Sequence, residues 1–179
     1  MNQTLDLLKD ASRDFPLVER PLLVRRLRVW NCRYKSFSAI SQMENLEELV
    51  IASLPEDSLN FLANLKNLKY LSIANLRKIS NIDPLRNLQS LDVVSLATPP
   101  SWDVANRILE IDSLAPLSEL KMLRHIELFG VVPVDRSLNV LQSLQLLETA
   151  RFSQYEEGEV GRFFEVTKAR KEFNPDSSF

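Results

Sequence analysis

Glycine is scarce in this chain of 179 residues, with only three copies, and no two stand in a GxGxxG or GxxxxGK frame. A backbone loop that cradles phosphates needs such glycines, so that chemistry is excluded. A single cysteine rules out an internal disulfide and the thiol clusters of structural zinc sites. There is one histidine, His125, too few for a histidine metal site. No apolar run reaches the 18 residues that a membrane-spanning helix needs. The opening stretch MNQTLDLLKDASRDF is polar and of mixed charge, with no apolar segment of signal-peptide length, and this points to the cytoplasm. Net charge is −2, which gives no general attraction to nucleic acid or to anionic membrane. What remains is 45% hydrophobic and 26% charged, a composition with enough apolar surface to fold.

The apolar residues recur in a nine-residue frame. Six copies start at Val24, Leu46, Leu68, Leu88, Leu123 and Leu144, separated by 22, 22, 20, 35 and 21 residues. Each frame has a large apolar residue at its first, fourth and ninth places, and five of the six have one at the sixth. The alternation at places four to six, as in Leu71-Ser72-Ile73, predicts a short strand with one face buried. Behind it runs a series with a spacing of three, such as Leu59, Leu62, Leu65 and Leu68, which fits 3₁₀ turns better than a regular helix. Pro84 and Pro116 fall inside these stretches and limit regular helix further. A strand, a turn and a compact return segment, repeated, give parallel strands side by side in one continuous solenoid.

The frames resemble the leucine-rich repeat family and its motif LxxLxLxx(N/C)xL. The continuation Ile79, Ile82, Pro84, Leu85, Leu88 is similar to the 22-residue class of bacterial internalins and phosphatase regulators. The resemblance implies an α/β solenoid of about six repeats. A curved parallel sheet would line the concave face, with short helical or 3₁₀ segments on the convex face. It also implies a protein-binding scaffold with neither cofactor nor catalytic centre. The ninth place departs from the family pattern: it reads Cys32, Leu54, Leu76, Leu96, Val131 and Phe152, with no asparagine to tie the turns together. The turns must satisfy their backbone groups by other means. Cys32 on that core place reads as an inert structural thiol.

One domain is expected over 1–179. Residues 1–23 form an N-terminal cap, with a short helix over 2–12. Repeats fill 24–152, with an insertion near 97–111 in which Asp103 caps a helix running to Leu109. Residues 153–179 carry a capping helix over 157–171 and a loose tail from Asn174. Trp102 in the insertion is either an exposed anchor or a plug against the core.

Places three, five and seven of each frame face away from the core. They carry Arg26, Arg28 and Trp30; Glu48, Val50 and Ala52; Tyr70, Ser72 and Ala74; Ser90, Asp92 and Val94; His125, Glu127 and Phe129; and Leu146, Glu148 and Ala150. Large aromatic anchors beside charged neighbours are the chemistry of protein interfaces. Arg26, Arg28, Trp30, Glu48, Tyr70, Asp92, Trp102, His125, Glu127 and Phe129 are therefore the expected protein-binding residues. A His125–Glu127 pair is geometrically open to the frame, but no nucleophile or further metal ligand accompanies it. The cations from Arg20 to Lys35 would suit phosphates, with Trp30 and Tyr34 to stack on bases. Glu47 and Glu48 stand at the frame places of Arg25 and Arg26 and should neutralise much of that charge laterally. The reading favoured is a non-catalytic module that binds a protein, as adaptor, regulator or toxin-neutralising immunity protein. An accessory subunit of a separate ligase or phosphatase is the alternative, and a nucleic-acid binder the weaker one. No membrane, small-molecule substrate, metal or cofactor is expected.

Overall fold

Valine, leucine and isoleucine at alternate frame places form strands that bury one face. The computed structural model describes residues 3–179. Its strands are β1 (Gln3–Leu8), β2 (Val24–Trp30), β3 (Glu48–Ala52), β4 (Tyr70–Ala74), β5 (Val93–Ala97), β6 (Leu109–Ile111), β7 (His125–Phe129), β8 (Val131–Pro133) and β9 (Thr149–Phe152). Seven of them make one parallel sheet in the order β1-β2-β3-β4-β5-β7-β9, and β6 pairs with β8 in a small second sheet. Register aligns Leu27, Leu49 and Leu71 in one buried row and Val29, Ile51 and Ile73 in the next. The residues between them line the concave face.

The three-residue spacing becomes 3₁₀ turns at Pro21–Leu23, Ser38–Gln42, Asn60–Leu62, Asp83–Asn87 and Asn139–Ser143 on the convex side. The described residues also form three helices: α1 (Pro100–Val104), α2 (Ala115–Ser118) and α3 (Glu157–Thr167). Leu59, Leu62, Leu65 and Leu68 are all buried, as are Ile79, Ile82, Leu85 and Leu88. A turn of three residues keeps every third side chain on the same face, so one leucine in three fills the core.

Two frames sit three residues later than the sequence pattern suggests. Tyr70 lies opposite Val93 rather than Ser90, and His125 lies opposite Thr149 rather than Leu146. The fourth frame therefore starts at Leu91 and the sixth at Leu147. The cause is the convex spacing of three: Ile79, Ile82, Leu85, Leu88 and Leu91 form one unbroken series, so its last member and its next-to-last look alike. Val94 and Ala150 turn out to be fully buried core residues rather than concave ones. Ser90 and Leu146 fall before their strands.

The ends also differ from expectation. Residues 3–8 form a strand, not a helix, and β1 adds to the sheet in parallel beside β2. Leu5 and Leu7 alternate with Thr4 and Asp6, so one face of QTLDLL packs on the core as in any other repeat. Phe15, Tyr34, Phe37 and Phe61 pack edge-on or tilted nearby, with centroids 5.2–6.4 Å apart. At the far end α3 stops at Thr167, four residues short of the expected 171, and its buried Phe163 ring meets Phe152 at 5.0 Å. In the insertion, the helix begins at Pro100 and stops at Val104. Asp103 does not cap it; its carboxylate accepts from the Gln154 amide at 2.8 Å and ties the insertion to the last repeat.

The turn after each strand is built without ninth-place asparagines. The eighth place instead takes the left-handed conformation at Lys9, Asn31, Ser53, Asn75, Gly130 and Gln154, with φ between 52° and 74°. Backbone amides at that place donate to the seventh-place carbonyl of the next strand, as from Lys9 to Trp30 at 2.8 Å and from Ser53 to Ala74 at 2.9 Å. Asparagine and glycine tolerate this conformation most readily.

Candidate protein-binding face

Three columns of side chains run across the concave face. The third-place column reads Thr4, Arg26, Glu48, Tyr70, Val93, His125 and Thr149. The fifth-place column reads Asp6, Arg28, Val50, Ser72, Ser95, Glu127 and Arg151. The seventh begins with Leu8 and Trp30, passes through Ala52, Ala74 and Ala97, and reaches Phe129. Small residues occupy its middle, with Trp30, 39% exposed, at one end and half-buried Phe129 at the other.

Four charges on this face form two ion pairs, Arg28 with Asp6 and Arg151 with Glu127. Arg28 makes a two-pronged contact with Asp6, at 2.7 and 2.5 Å. That hydrogen bonding holds the Asp6 carboxyl below its usual range and the Arg28 guanidinium above its own. Glu127 is only 5% exposed and is held by the Ser95 hydroxyl at 2.6 Å and by Arg151. His125 shares a hydrogen bond with the Thr149 hydroxyl at 2.8 Å, so histidine and Glu127 are engaged with different partners. Among the described residues, no three His, Cys, Asp or Glu side chains converge as a metal site.

Asp92 does not lie on the concave face. After the frame correction it takes the second place, on the rim. A row of alternating sign runs there: Arg25, Glu47, Lys69, Asp92, Arg124 and Glu148. Contacts at 3.4 Å (Arg25–Glu47), 2.9 Å (Lys69–Glu47) and 3.5 Å (Arg124 to both Asp92 and Glu148) join its members. Glu148, expected on the concave face, belongs to the same rim. The arginine-rich first repeat is thus neutralised as its spacing suggests at Arg25, and by Asp6 at Arg28. Glu48, however, does not pair with Arg26. Its carboxylate accepts from the Ser177 hydroxyl at 2.8 Å and the Ser178 amide at 2.9 Å, both in the tail.

Cys32 is half-buried rather than fully enclosed, and its thiol donates to the Leu7 carbonyl at 3.3 Å. Trp102 is half-buried against the core, and the Arg107 guanidinium stacks over its ring at 4.3 Å.

The sequence matches no protein-family model and no curated protein. Solved structures do match. The internalin inlF of Listeria monocytogenes superposes with a TM-score of 0.73 at 18% identity, over 96% of this chain and 48% of its own. Internalin C2 of the same species gives 0.55 at 19% identity, over 83% and 62%. A leucine-rich repeat protein of Leptospira interrogans gives 0.53 at 19% identity, over 84% and 43%. This is a leucine-rich repeat fold. The chain spans between two fifths and two thirds of the length of these structures. Among its described residues no helix is long and apolar enough to cross a membrane.

Of the concave residues of the leucine-rich repeats, sequence reasoning placed Arg26, Arg28, Trp30, Glu48, Tyr70, His125, Glu127 and Phe129 on the correct face. It missed Ser95, Thr149 and Arg151, which the three-residue slips hid, and the whole of the tail. Extending the leucine series past Leu88 and Leu144 to its true end would have recovered the first group. Nothing periodic marks the second.

Proposed function

We propose that this leucine-rich repeat chain is a non-catalytic binding module that takes a partner protein on its concave face, with Trp30, Tyr70 and Phe129 as anchors. One observation carries the reading: the core is already filled from places one, four and six, so folding does not require large aromatics at places three and seven. Arg26, Arg28, Glu48, His125 and Glu127 set the polarity between the anchors, and Trp102 lies apart on the insertion. Adaptor, regulator and toxin-neutralising roles would all use such a face. The lone unpaired thiol suits a reducing cytoplasm.

The test is capture from the native host by the wild-type chain and by Trp30→Ala, Tyr70→Ala and Phe129→Ala variants of unchanged melting temperature. An anchor of about 2 kcal/mol corresponds to roughly thirtyfold weaker binding. Arg86→Ala on the convex side serves as the control. A protein held by the wild type and the control but lost from the concave variants supports the reading; equal capture by all of them overturns it.

A further inference from the structure

After α3 the chain pairs with the sheet edge at Arg170, in a parallel bridge to Thr149; residues 173–179 beyond it have no helical or strand geometry, yet they are not free of the solenoid. Phe173 stands beneath Arg151 of β9, with its ring centroid 5.9 Å from the guanidinium carbon. From there the segment FNPDSSF reaches across the concave face to β2. Ser177 and Ser178 give Glu48 a hydroxyl and an amide donor, and Arg26 reaches the Ser178 hydroxyl at 3.4 Å. Phe179 ends under Arg28, at 4.9 Å. Arg28 is already fixed by its two bonds to Asp6, so its flat face is presented to the ring without further ordering.

Glu48 records the consequence. Its place in the frame points it out of the sheet, and Arg26 beside it is exposed, yet Glu48 is only 7% exposed. A carboxylate removed from water needs donors, and here two of the donors named come from the tail. Ser177 and Ser178 are themselves exposed and take no part in the core. The segment therefore behaves as a ligand rather than as a packed end of the fold. Tethering favours it: a segment joined within the same chain is held at an effective concentration on the order of millimolar, so a few modest contacts suffice.

We propose that residues 173–179 are an intramolecular ligand of the concave face. The subsite they fill, formed by Arg28 and Glu48, takes an extended polypeptide segment with paired hydroxyl and amide donors beside an aromatic ring. A partner segment of that chemistry must displace the tail to bind. This last step rests on the concave-face reading above; the tail's own occupancy does not.

The occupancy is tested on the full chain by ¹⁵N relaxation. Amides of Asp176–Phe179 should show order parameters of about 0.8, like the strands, and not the values below about 0.6 of a free end. Ser177→Asp places a carboxylate against Glu48; it should drop those amides to free-end values and shift the Glu48 and Tyr70 signals while leaving Leu71 unmoved. Glu48→Gln, which keeps one acceptor but no charge, should loosen the tail less. Acetylated peptide FNPDSSF added at millimolar concentration to Ser177→Asp should return the Glu48 and Tyr70 signals towards their wild-type positions. A mobile tail in the wild type, a tail still ordered in Ser177→Asp, or no response to the peptide overturns the proposal. These measurements involve no partner. If they succeed while the concave alanine variants keep full capture, the interface reading fails and the intramolecular ligand stands.

Discussion

The carboxylate of Glu127 on β7 is held from both sides, by the guanidinium of Arg151 on β9 and by the Ser95 hydroxyl on β5. The carboxylate is buried while the arginine is more than half exposed, so the pair is asymmetric. Removing Arg151 leaves a buried charge with a single named donor, whereas removing Glu127 leaves an arginine that water can solvate. Arg151→Ala should therefore destabilise at least as much as Glu127→Ala, for which about 1–3 kcal/mol is expected. The double variant should lose less than the two losses added, by about 0.5–3 kcal/mol. Urea unfolding of the four proteins checks this, and strict additivity would show the contact to be idle.

Corrected register makes a separate expectation for stability. Leu71→Ala and Leu96→Ala remove fully buried side chains and should each cost about 2–5 kcal/mol. Asp92→Ala removes an exposed rim contact with Arg124 and should cost less than about 1 kcal/mol. Denaturant midpoints give the ordering directly; a large loss at Asp92 would mean that the frame beginning at Leu91 is misplaced.

Much of this architecture was legible because strand and turn use different periods, two and three. Where both patterns ended in leucine the boundary blurred, and the frames at Leu91 and Leu147 were displaced by one turn. β1 was misread for a related reason: Leu5, Leu7 and Leu8 are too few to separate an alternating strand from one side of a helix. The concave aromatics Trp30, Tyr70 and Phe129 were legible because large apolar residues stood where the core did not need them. The tail was not, since FNPDSSF meets the sheet through serine hydroxyls, one amide and two rings, and such contacts leave no periodic trace.

Gly130 occupies the left-handed turn column at φ 66°, and a Cβ there would fall inside the contact distance of the Thr98 hydroxyl. Gly130→Ala should thus lose more than the roughly 1–2 kcal/mol of left-handed strain alone. Adding Thr98→Ala opens the space and should restore the surplus but not the strain. Thermal melts of the single and double variants separate the two contributions; no recovery in the double would place the cost elsewhere.

All three tyrosines have their ionisation pushed up. Burial does most of this at Tyr155, with Asp135 adding to it, and at Tyr34, with the Asp10 carboxylate accepting its hydrogen bond. At Tyr70 burial leads again, helped by the Glu48 charge and opposed by Ser177. A raised folded value means that stability is fully present below the unfolded tyrosine value of about 10 and is lost as pH rises through the folded one. Absorbance at the tyrosinate band should therefore stay flat through pH 10 in native protein and rise together with loss of circular dichroism. Tyr155→Phe should move that alkaline transition upward, at a cost of about 1 kcal/mol near neutrality for the lost bond to the Val131 carbonyl. A normal tyrosine titration in folded protein would contradict the burial described.

The rim row of Arg25, Glu47, Lys69, Asp92, Arg124 and Glu148 carries a rule about growth. Each member has opposite sign to both of its neighbours, so the row has parity. Copying or deleting one repeat within it would set two like charges side by side at one junction. Copying or deleting two leaves it intact. Each contact is worth little alone, well under about 1 kcal/mol, but the mismatch would fall at a junction where two like side chains share one strand spacing. Length changes in this array are thus favoured in pairs.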